Sequence, residues 1–545
     1  MVPAALALPR LAVPAAVAAA ALALASGYVA CNGVAELAAR YQLIDDAFYY
    51  LEIANNLRTG CGASFDCLNP TNGYHPLWLL LLVPLTAVVP EPGDAQVWLT
   101  LGAGIGLYLA ACMVVTRTAI RLMPGARLAP LLPTILLAAN PSQFFVAVNG
   151  LETPVAFLAL ALLLEAASRA LTFPPEGIAP GTGRSISFAP ALVLAAAGAA
   201  AFLARLDYAI VAALAVSLLL LEDVRRRARP APALAAGALL AAVVLGYLAL
   251  NLALFGAAMP VSGAIKRDSL LDGFDLGHLG GPAAAVSALF WPLRFVLRPG
   301  SPLVLLLALI PTLFAVRCAL RSPAPLRDLF LALQGWVHAA LYLMLQSSGP
   351  EYYFVPLVLS VAWSAAVTLR AIEKRLPPRA RIAGAGLLVA LALAGPIAAG
   401  AVLDRDRPIV SWRLDRLRAI AWMNEALPAD ALIGSWWSGA VGYYSRPRVV
   451  NLDGLVNSPA YLDVLRGCRL GPYIRARGIA YLADYMTFAM VQTGTTDESL
   501  FPGRCWAELR HDLKEAGYGL EALRIYPDPD HPRERGFVVL RLRRP

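Results

Sequence analysis

The chain has 545 residues, of which 59% are hydrophobic and only 15% are charged, and its formal net charge is +9. Its mean hydropathy of +0.63 excludes a large soluble enzyme and is typical of a polytopic membrane protein. The positive charge does not indicate nucleic-acid binding. The arginines lie in short clusters between apolar segments, where they set membrane topology.

The first apolar run covers residues 11–31. Its 21 residues exceed the hydrophobic region of a secretory signal peptide and match a spanning helix, so they predict an uncleaved first span. Ten further apolar segments lie near residues 95–116, 128–147, 151–170, 188–205, 207–222, 231–255, 300–318, 328–347, 353–370 and 382–402. We therefore predict eleven transmembrane helices within a membrane domain of residues 1–403.

Basic clusters occur at alternate connections between these spans. Placing all five inside satisfies the positive-inside rule and puts the N-terminus in the cytoplasm. This topology requires that segment 76–90 does not cross, and its 15 residues, bracketed by proline, predict an interfacial or re-entrant helix. The clusters are Arg117, Arg121 and Arg127; Arg169 and Arg184; Arg225, Arg226, Arg227 and Arg229; Arg317, Arg321 and Arg327; and Arg370, Lys374, Arg375, Arg379 and Arg381.

The unusual polar residues then collect on the outer side. The first external loop, residues 32–94, contains the adjacent carboxylates Asp45 and Asp46, followed by the amphipathic segment "AFYYLEIANNL". Ionisable groups near membrane level are costly and often mark a site or a pathway. The other candidate site residues are His75, Glu152, Arg205, Asp207, Lys266, Arg267, Glu351, Tyr352 and Tyr353.

Ordinary structural roles stay open for most of these residues. Helix capping, pairing across a tight turn, loop charge and an interfacial aromatic belt each explain some of them. An N-cap role is weakest as an explanation of Asp45 and Asp46, where two carboxylates stand together. This pair is therefore the strongest candidate for chemistry.

The acidic pair, the helix after it, a turn with glycine and "NGYHPLW" at 72–78 together resemble the first external loop of the GT-C superfamily. These integral-membrane glycosyltransferases include aminoarabinose, mannosyl and arabinofuranosyl transferases. "NGLET", "ARLDY" and "GYYSRPRVVNLDGLVN" are similar to motifs of uncharacterised bacterial members, so the resemblance covers essentially the whole chain. It implies a multi-span α-helical membrane domain with interfacial helices in the first external loop.

The resemblance also implies a function. The donor would be a polyprenyl-phosphate-linked sugar, and the acceptor an extracytoplasmic envelope glycan, lipid or protein, at the bacterial inner (plasma) membrane. Asp45 corresponds to the catalytic base, with Asp46 beside it, and His75 to a contact of the donor phosphate. By position, Arg205 and Lys266 are further candidates for that phosphate.

The residues agree with this chemistry. A lipid-phosphate sugar has an activated leaving group, so inverting transfer needs a base for the acceptor hydroxyl and cations for the departing phosphate. The tyrosines at 352–353 are candidates to line the lipid or sugar pocket. No nucleotide loop, nucleophile elbow or dense metal-ligand cluster appears in the sequence, so no cofactor is required; a divalent cation at Asp45 and Asp46 stays open.

From about residue 404 the composition becomes that of a soluble domain, so residues 404–545 predict a small extracytoplasmic α/β domain. An amphipathic helix precedes the strand-like segments "ALIGSW", "RVVNLD", "IAYLADY" and "GFVVLRL". Trp436, Trp437, Tyr443 and Tyr444 fit either a packed core or stacking on sugar rings.

Two cysteine pairs are candidates for disulfides. Cys61 and Cys67 lie in the first external loop, and Cys468 and Cys505 lie in the external domain. An oxidising compartment permits both bonds. Separations between Cα atoms well beyond about 7 Å would exclude them.

Two rival functions are a transporter or flippase for a lipid-linked glycan and a non-catalytic envelope assembly protein. A transporter explains the many spans but neither the acidic pair in the first loop nor the soluble domain. Transporters also often contain inverted repeats, and no internal repeat is evident.

Overall fold

The computed structural model describes residues 27–28, 30–138, 140–172, 187–268, 280–287, 289, 302–344, 350–373, 375–488, 491 and 505–543. Most of the predicted first span lies outside these residues, as do Arg184 and Lys374. Arg267 is described only in its backbone, so the prediction for its side chain also lies outside.

The first loop begins after helix α1, described over 30–39, and contains two further helices. Helix α2, Asp45–Thr59, has both aspartates in its first turn and ends at Gly60, whose φ of 92° is left-handed. Glycine adopts this conformation without the penalty that other residues have. Helix α3, Pro76–Val88, starts on proline and has 13 residues. Its length of about 20 Å is short of the ~30 Å hydrocarbon core, as predicted for a segment that does not cross.

Helices form most of the chain from there to residue 406. They are α4 Asp94–Leu122, α5 Leu132–Ala138, α6 Pro141–Val148, α7 Thr153–Ala170, α8 Phe188–Ala204, α9 Ala209–Arg225, α10 Ala231–Phe255, α11 Val261–Asp268, α12 Gly280–Ser287, α13 Pro302–Ala319, α14 Pro325–Met344, α15 Val355–Glu373 and α16 Pro378–Asp406. Each of the ten predicted spans after the first coincides with one of these helices or, near 128–147, with the pair α5 and α6.

Within the described residues, five helices are long and apolar enough to cross a membrane: α4, α7, α10, α13, and α15 with the turn before it. A sixth results if α5 and α6 form one bent span. The chain is thus a multi-pass membrane protein. The count of eleven spans and the orientation in the membrane stay predictions. Helix α8, with 17 residues, falls just below the length of a full span.

A five-stranded sheet follows the last long helix. The helices of this C-terminal domain are α17 Ser411–Ala426, α18 Ser438–Tyr444, α19 Tyr461–Arg466, α20 Leu470–Arg477 and α21 Trp506–Glu515. The strands are β1 Leu432–Ser435, β2 Arg448–Asn451, β3 Tyr481–Thr487, β4 Gly519–Pro527 and β5 Arg535–Arg543, in the order β2-β1-β3-β5-β4. Strands β1, β2 and β3 are parallel, while β5 is antiparallel to β3 and β4. The four strand-like segments correspond to β1, β2, β3 and β5.

The aromatic residues considered for sugar stacking are mostly part of the packing. Trp436 is 1% exposed and belongs to a core cluster with Val450 and Leu482. Tyr443 is buried, and its hydroxyl donates to the Gly93 carbonyl oxygen. The packed-core alternative therefore describes these two residues.

Candidate active site

A cavity of about 50 Å³ lies where the first loop meets four other parts of the chain. Its wall comes from α2, the residues just before α3 and α7, helix α11, the tyrosines before α15, and the loop after β2. Sequence positions as distant as Asp46 and Val456 therefore face the same space. The volume holds a few waters or one phosphate-sized group.

Asp46 is the aspartate of the pair that lines this cavity. Among the described residues, no side chain hydrogen-bonds to its carboxylate or forms an ion pair with it. Burial raises the pKa of Asp46 above its usual value, although the positive charge of Lys266 opposes this effect. A carboxylate with a raised pKa and no partner has the properties of a general base.

Asp45, to which the resemblance assigns the role of catalytic base, does not line this cavity. Its Oδ2 accepts the backbone N–H of Gly439 at 2.9 Å, and its Oδ1 accepts that of Ala440 at 3.1 Å. Its Oδ1 also lies 2.8 Å from Arg416 Nη1. Neighbouring residues of a helix project about 100° apart, so one aspartate faces the cavity and the other faces the C-terminal domain.

Lys266 and His75 bring nitrogen atoms to the same cavity. The Lys266 ammonium donates to the Tyr353 hydroxyl at 2.9 Å. Burial lowers the pKa of Lys266, but its interactions with the Tyr353 hydroxyl and the Asp46 carboxylate outweigh burial and raise it. Burial lowers the pKa of His75, so at neutral pH the imidazole is uncharged. Lys266 is thus the permanent cation here, and His75 is a neutral donor or acceptor.

Glu152 connects the cavity to a buried layer behind it. The carboxylate lines the cavity and accepts from Arg205 Nη1 at 2.9 Å and from the Tyr50 hydroxyl at 3.1 Å. His75 Nε2 lies 3.6 Å from the same carboxylate. Arg205 therefore lies behind the cavity wall rather than in it.

Asp207 also lies in this second layer. It accepts from Arg205 Nε at 3.1 Å and from the Tyr342 hydroxyl at 2.7 Å, and His338 Nε2 is 2.9 Å away. Both Arg205 and Asp207 were predicted to bind substrate, and neither lines the cavity: Arg205 pairs with Asp207 and Glu152, and the other partners of Asp207 are Tyr342 and His338. Sequence reasoning did not identify His338, although an ionisable residue within the apolar helix α14 is a signal that could have found it.

The residues at 351–353 divide between two locations. Tyr352 and Tyr353 line the cavity. Glu351 does not, because its carboxylate pairs with Arg407 at 2.6 Å, at the connection between α16 and α17. Glu351 therefore lies outside this cavity, and its contact with substrate stays a prediction.

The C-terminal domain closes one side of the cavity. Leu455 and Val456, in the loop after β2, are part of its wall. Tyr49, another wall residue, donates a hydrogen bond of 2.8 Å to Asp453 Oδ2. Burial raises the pKa of Asp453 to about 7. Tyr49, Tyr50 and Asp453 were not singled out from the sequence; aromatic residues beside the acidic pair were the available signal.

The described residues contain no cluster of three or more His, Cys, Asp or Glu side chains placed to hold a metal ion. The alternative of a cation shared by Asp45 and Asp46 does not fit, since Asp45 already binds Arg416 and two amides. Both predicted disulfides are present. Cα atoms are 5.2 Å apart in Cys61–Cys67 and 5.1 Å apart in Cys468–Cys505.

Comparison with known proteins identifies the fold. The oligosaccharyltransferase AglB from Archaeoglobus fulgidus, in complex with an inhibitory peptide and a dolichol-phosphate, superimposes with a TM-score of 0.54 at 15% identity, over 96% of this chain and 74% of AglB. ArnT from Cupriavidus metallidurans, bound to undecaprenyl phosphate, gives a TM-score of 0.54 at 13% identity, over 93% of this chain and 96% of ArnT.

ArnT in the apo state gives a TM-score of 0.55 at 12% identity, over 91% of this chain and 92% of ArnT. These neighbours are GT-C glycosyltransferases. At such low identity the likeness establishes the fold, and the chain has the GT-C fold. A family model described as a domain of unknown function, DUF8728, matches residues 409–526. No curated protein matches the chain by sequence.

Proposed function

We propose that this protein, which has the GT-C fold, is a membrane glycosyltransferase. It would move a sugar from a polyprenyl-phosphate donor to an extracytoplasmic acceptor. The observation behind the proposal is the placement of Asp46, whose carboxylate has no side-chain partner among the described residues, in one cavity with Lys266. A base and a cation in the same space are what this transfer requires.

The reaction follows from their positions. Asp46 accepts the proton of the acceptor hydroxyl while the hydroxyl oxygen attacks the anomeric carbon of the sugar. The bond between that carbon and the phosphate oxygen breaks, and the polyprenyl phosphate leaves with the electron pair. Attack from the face opposite the leaving group inverts the configuration. We assign the base to Asp46 rather than to Asp45, because Asp46 lines the cavity while Asp45 contacts Arg416 and two backbone amides.

The leaving phosphate is stabilised by Lys266, with His75 as a neutral hydrogen-bond donor. A fixed cation aimed at developing charge in a water-poor site lowers the barrier without reorganisation during the reaction. Glu152 and Arg205 hold this group of charges in place from behind. Tyr352 and Tyr353 offer aromatic faces to the sugar or to the isoprenoid chain.

The solved neighbours support the choice of donor. ArnT is bound to undecaprenyl phosphate, and AglB is in complex with a dolichol-phosphate, so both hold a polyprenyl-type phosphate on this fold. The acceptor is proposed as an envelope glycan, lipid or protein. The orientation predicted from the arginine clusters supports a cavity on the outer side of a bacterial plasma membrane.

The test is transfer of radiolabelled sugar from defined polyprenyl-phosphate donors by the purified protein in membranes or nanodiscs. We expect transfer by the wild type, and Asp46→Asn should lose most turnover while still binding undecaprenyl phosphate. Glu165→Gln is the matched control, because Glu165 pairs with Arg121 near the other end of α7.

An Asp46→Asn protein that folds, binds the donor and transfers at the wild-type rate would overturn the assignment of the base. Translocation of the lipid across the bilayer without sugar transfer, unaffected by Asp46→Asn, would instead establish the flippase alternative.

A further inference from the structure

The three contacts of Asp45 join the first loop to the C-terminal domain across almost 400 residues of sequence. Two are backbone amides at the start of α18, and the third is the guanidinium of Arg416 in α17. Asp45 is 5% exposed and Arg416 is 3% exposed. A buried charge is stable only when it is paired, so each of these side chains needs the other.

Glycines let the two surfaces approach closely. A Cβ atom at Gly439 would lie 2.2 Å from the Asp45 carbonyl oxygen and 2.7 Å from its carboxylate carbon. A Cβ atom at Gly442 would lie 2.3 Å from the Phe65 ring. Both distances are too short for any residue larger than glycine. The close contact of α18 with the first loop therefore depends on these two glycines. We call the set formed by Asp45, Arg416, Gly439 and Ala440 the docking face.

We propose that Asp45 is a positioning residue that docks the C-terminal domain over the cavity and thereby fixes the adjacent Asp46. This inference rests on the proposed function, because only there does Asp46 act as a base whose position matters. Asp45 and Asp46 share a peptide bond in the first turn of α2, so displacement of Asp45 rotates or shifts Asp46. Undocking also withdraws Leu455 and Val456 from the cavity wall.

The docking face is tested by Asp45→Asn in the full-length protein. Hydrogen–deuterium exchange should rise over residues 438–444, by about tenfold or more, because the amides of Gly439 and Ala440 lose a charged acceptor. In the transfer assay kcat should fall, on the order of 10²-fold if the base moves by about 1 Å. The donor KM should change much less, since Lys266 and His75 are untouched.

Gly439→Ala provides an independent variant in which Asp45 and Arg416 are both retained. It should show the same rise in exchange and the same split between kcat and KM. Arg416→Lys keeps the positive charge and should restore part of the exchange protection and of kcat that Arg416→Gln loses. Arg418→Gln is the matched control on α17, since it breaks only the pair between Arg418 and Asp415.

Two results would overturn the proposal. The first is unchanged exchange over 438–444 in both Asp45→Asn and Gly439→Ala. The second is faster exchange with wild-type kcat, which would make docking irrelevant to the base. The exchange experiment needs no donor, so it distinguishes this inference from the proposed function. A wild-type protein that transfers no sugar, yet responds to Asp45→Asn in exchange, would refute the function and leave the docking contact established.

Discussion

Asp45 and Asp46 are neighbours in sequence, yet they belong to two regions with opposite chemistry. In the docking face a buried carboxylate has a guanidinium and two amides as partners. In the cavity the Asp46 carboxylate has no side-chain partner among the described residues, and burial raises its pKa. An interface gains stability when every charge is paired, whereas a reacting group must keep its lone pairs available. This difference in partners is the reason for proposing a stabilising role for Asp45 and a reactive role for Asp46.

The largest expected effect comes from Asp46→Asn, whether alone or combined with Asp45→Asn. Asp46→Asn alone should reduce transfer by about 10²–10⁴-fold, the usual contribution of a positioned base. Adding Asp45→Asn to Asp46→Asn should cause no further loss of transfer. The proposed effect of Asp45→Asn is to displace the base, and the double variant has no base to displace. Single-turnover rates of the two single variants and the double variant test this. Multiplication of the two losses would mean that both carboxylates act on the reaction independently.

Lys266 gives the next largest effect on the cavity side. Lys266→Met should reduce kcat by roughly 10²–10³-fold, because the departing phosphate loses its permanent cation. Lys266→Arg retains the charge and should lose less. Lys514→Met, on the exposed surface of α21, is the control and should behave as wild type. Steady-state kinetics with one polyprenyl-phosphate donor measure these losses of kcat. Equal losses in Lys266→Met and Lys266→Arg would contradict a role for the positive charge.

The raised pKa of Asp46 predicts the pH dependence of the reaction. The base acts only when ionised, so kcat/KM should fall towards acid with a midpoint above the ordinary aspartate value of about 4. Gly439→Ala should move this midpoint down by admitting water, and Lys266→Met should move it up. The charged and titratable groups facing Asp46 are Lys266, Asp45, Glu152, His75, Asp453, Tyr41, Tyr352 and Tyr353. A midpoint at or below about 4 in the wild type would contradict a buried base.

The smallest effect concerns the stability of the C-terminal domain. Burial raises the pKa of Asp453 to about 7 in the folded protein, so the folded state binds its proton more tightly than the unfolded state. Its contribution to stability is then complete below about pH 4 and is lost as the pH rises through about 7.

We expect the melting temperature to decrease between pH 5 and pH 8 in the wild type. The decrease should be smaller in Asp453→Asn than in the control Asp463→Asn, which changes an exposed side chain. Identical pH profiles for the two variants would show that Asp453 titrates normally. Differential scanning fluorimetry at matched ionic strength measures both.

Much of the fold was predictable from periodicity and apolar length. The spans after the first coincide with helices because a membrane segment must satisfy its backbone within itself. Strand β4 was missed because "GLEALRIYP" mixes charged and apolar residues and pairs with a single neighbour, β5, at the edge of the sheet. Edge strands lack the continuous apolar pattern that identifies buried ones.

Only some of the residues that line the candidate site were predictable from the sequence, and their arrangement was not. His75, Glu152 and Lys266 do line one cavity, as polar residues at the ends of apolar segments had indicated. Glu351 lies outside this cavity and pairs with Arg407, which is 56 residues away, and no local pattern identifies such a pair. Arg205 and Asp207 were correctly grouped, but the second layer they form depends on helices that meet only in the folded protein.

The sequence by itself determined that the chain is a membrane protein with an acidic pair beside its first span, because hydropathy and charge placement are properties of the linear chain. The sequence left the two aspartates as one acidic pair, and their divergence follows from the observed helix α2, in which consecutive residues project about 100° apart. Which aspartate faces the cavity was decided only by tertiary structure. The amides and the guanidinium that bind Asp45 come from residues 416–440, and their approach depends on glycines that let two distant surfaces meet.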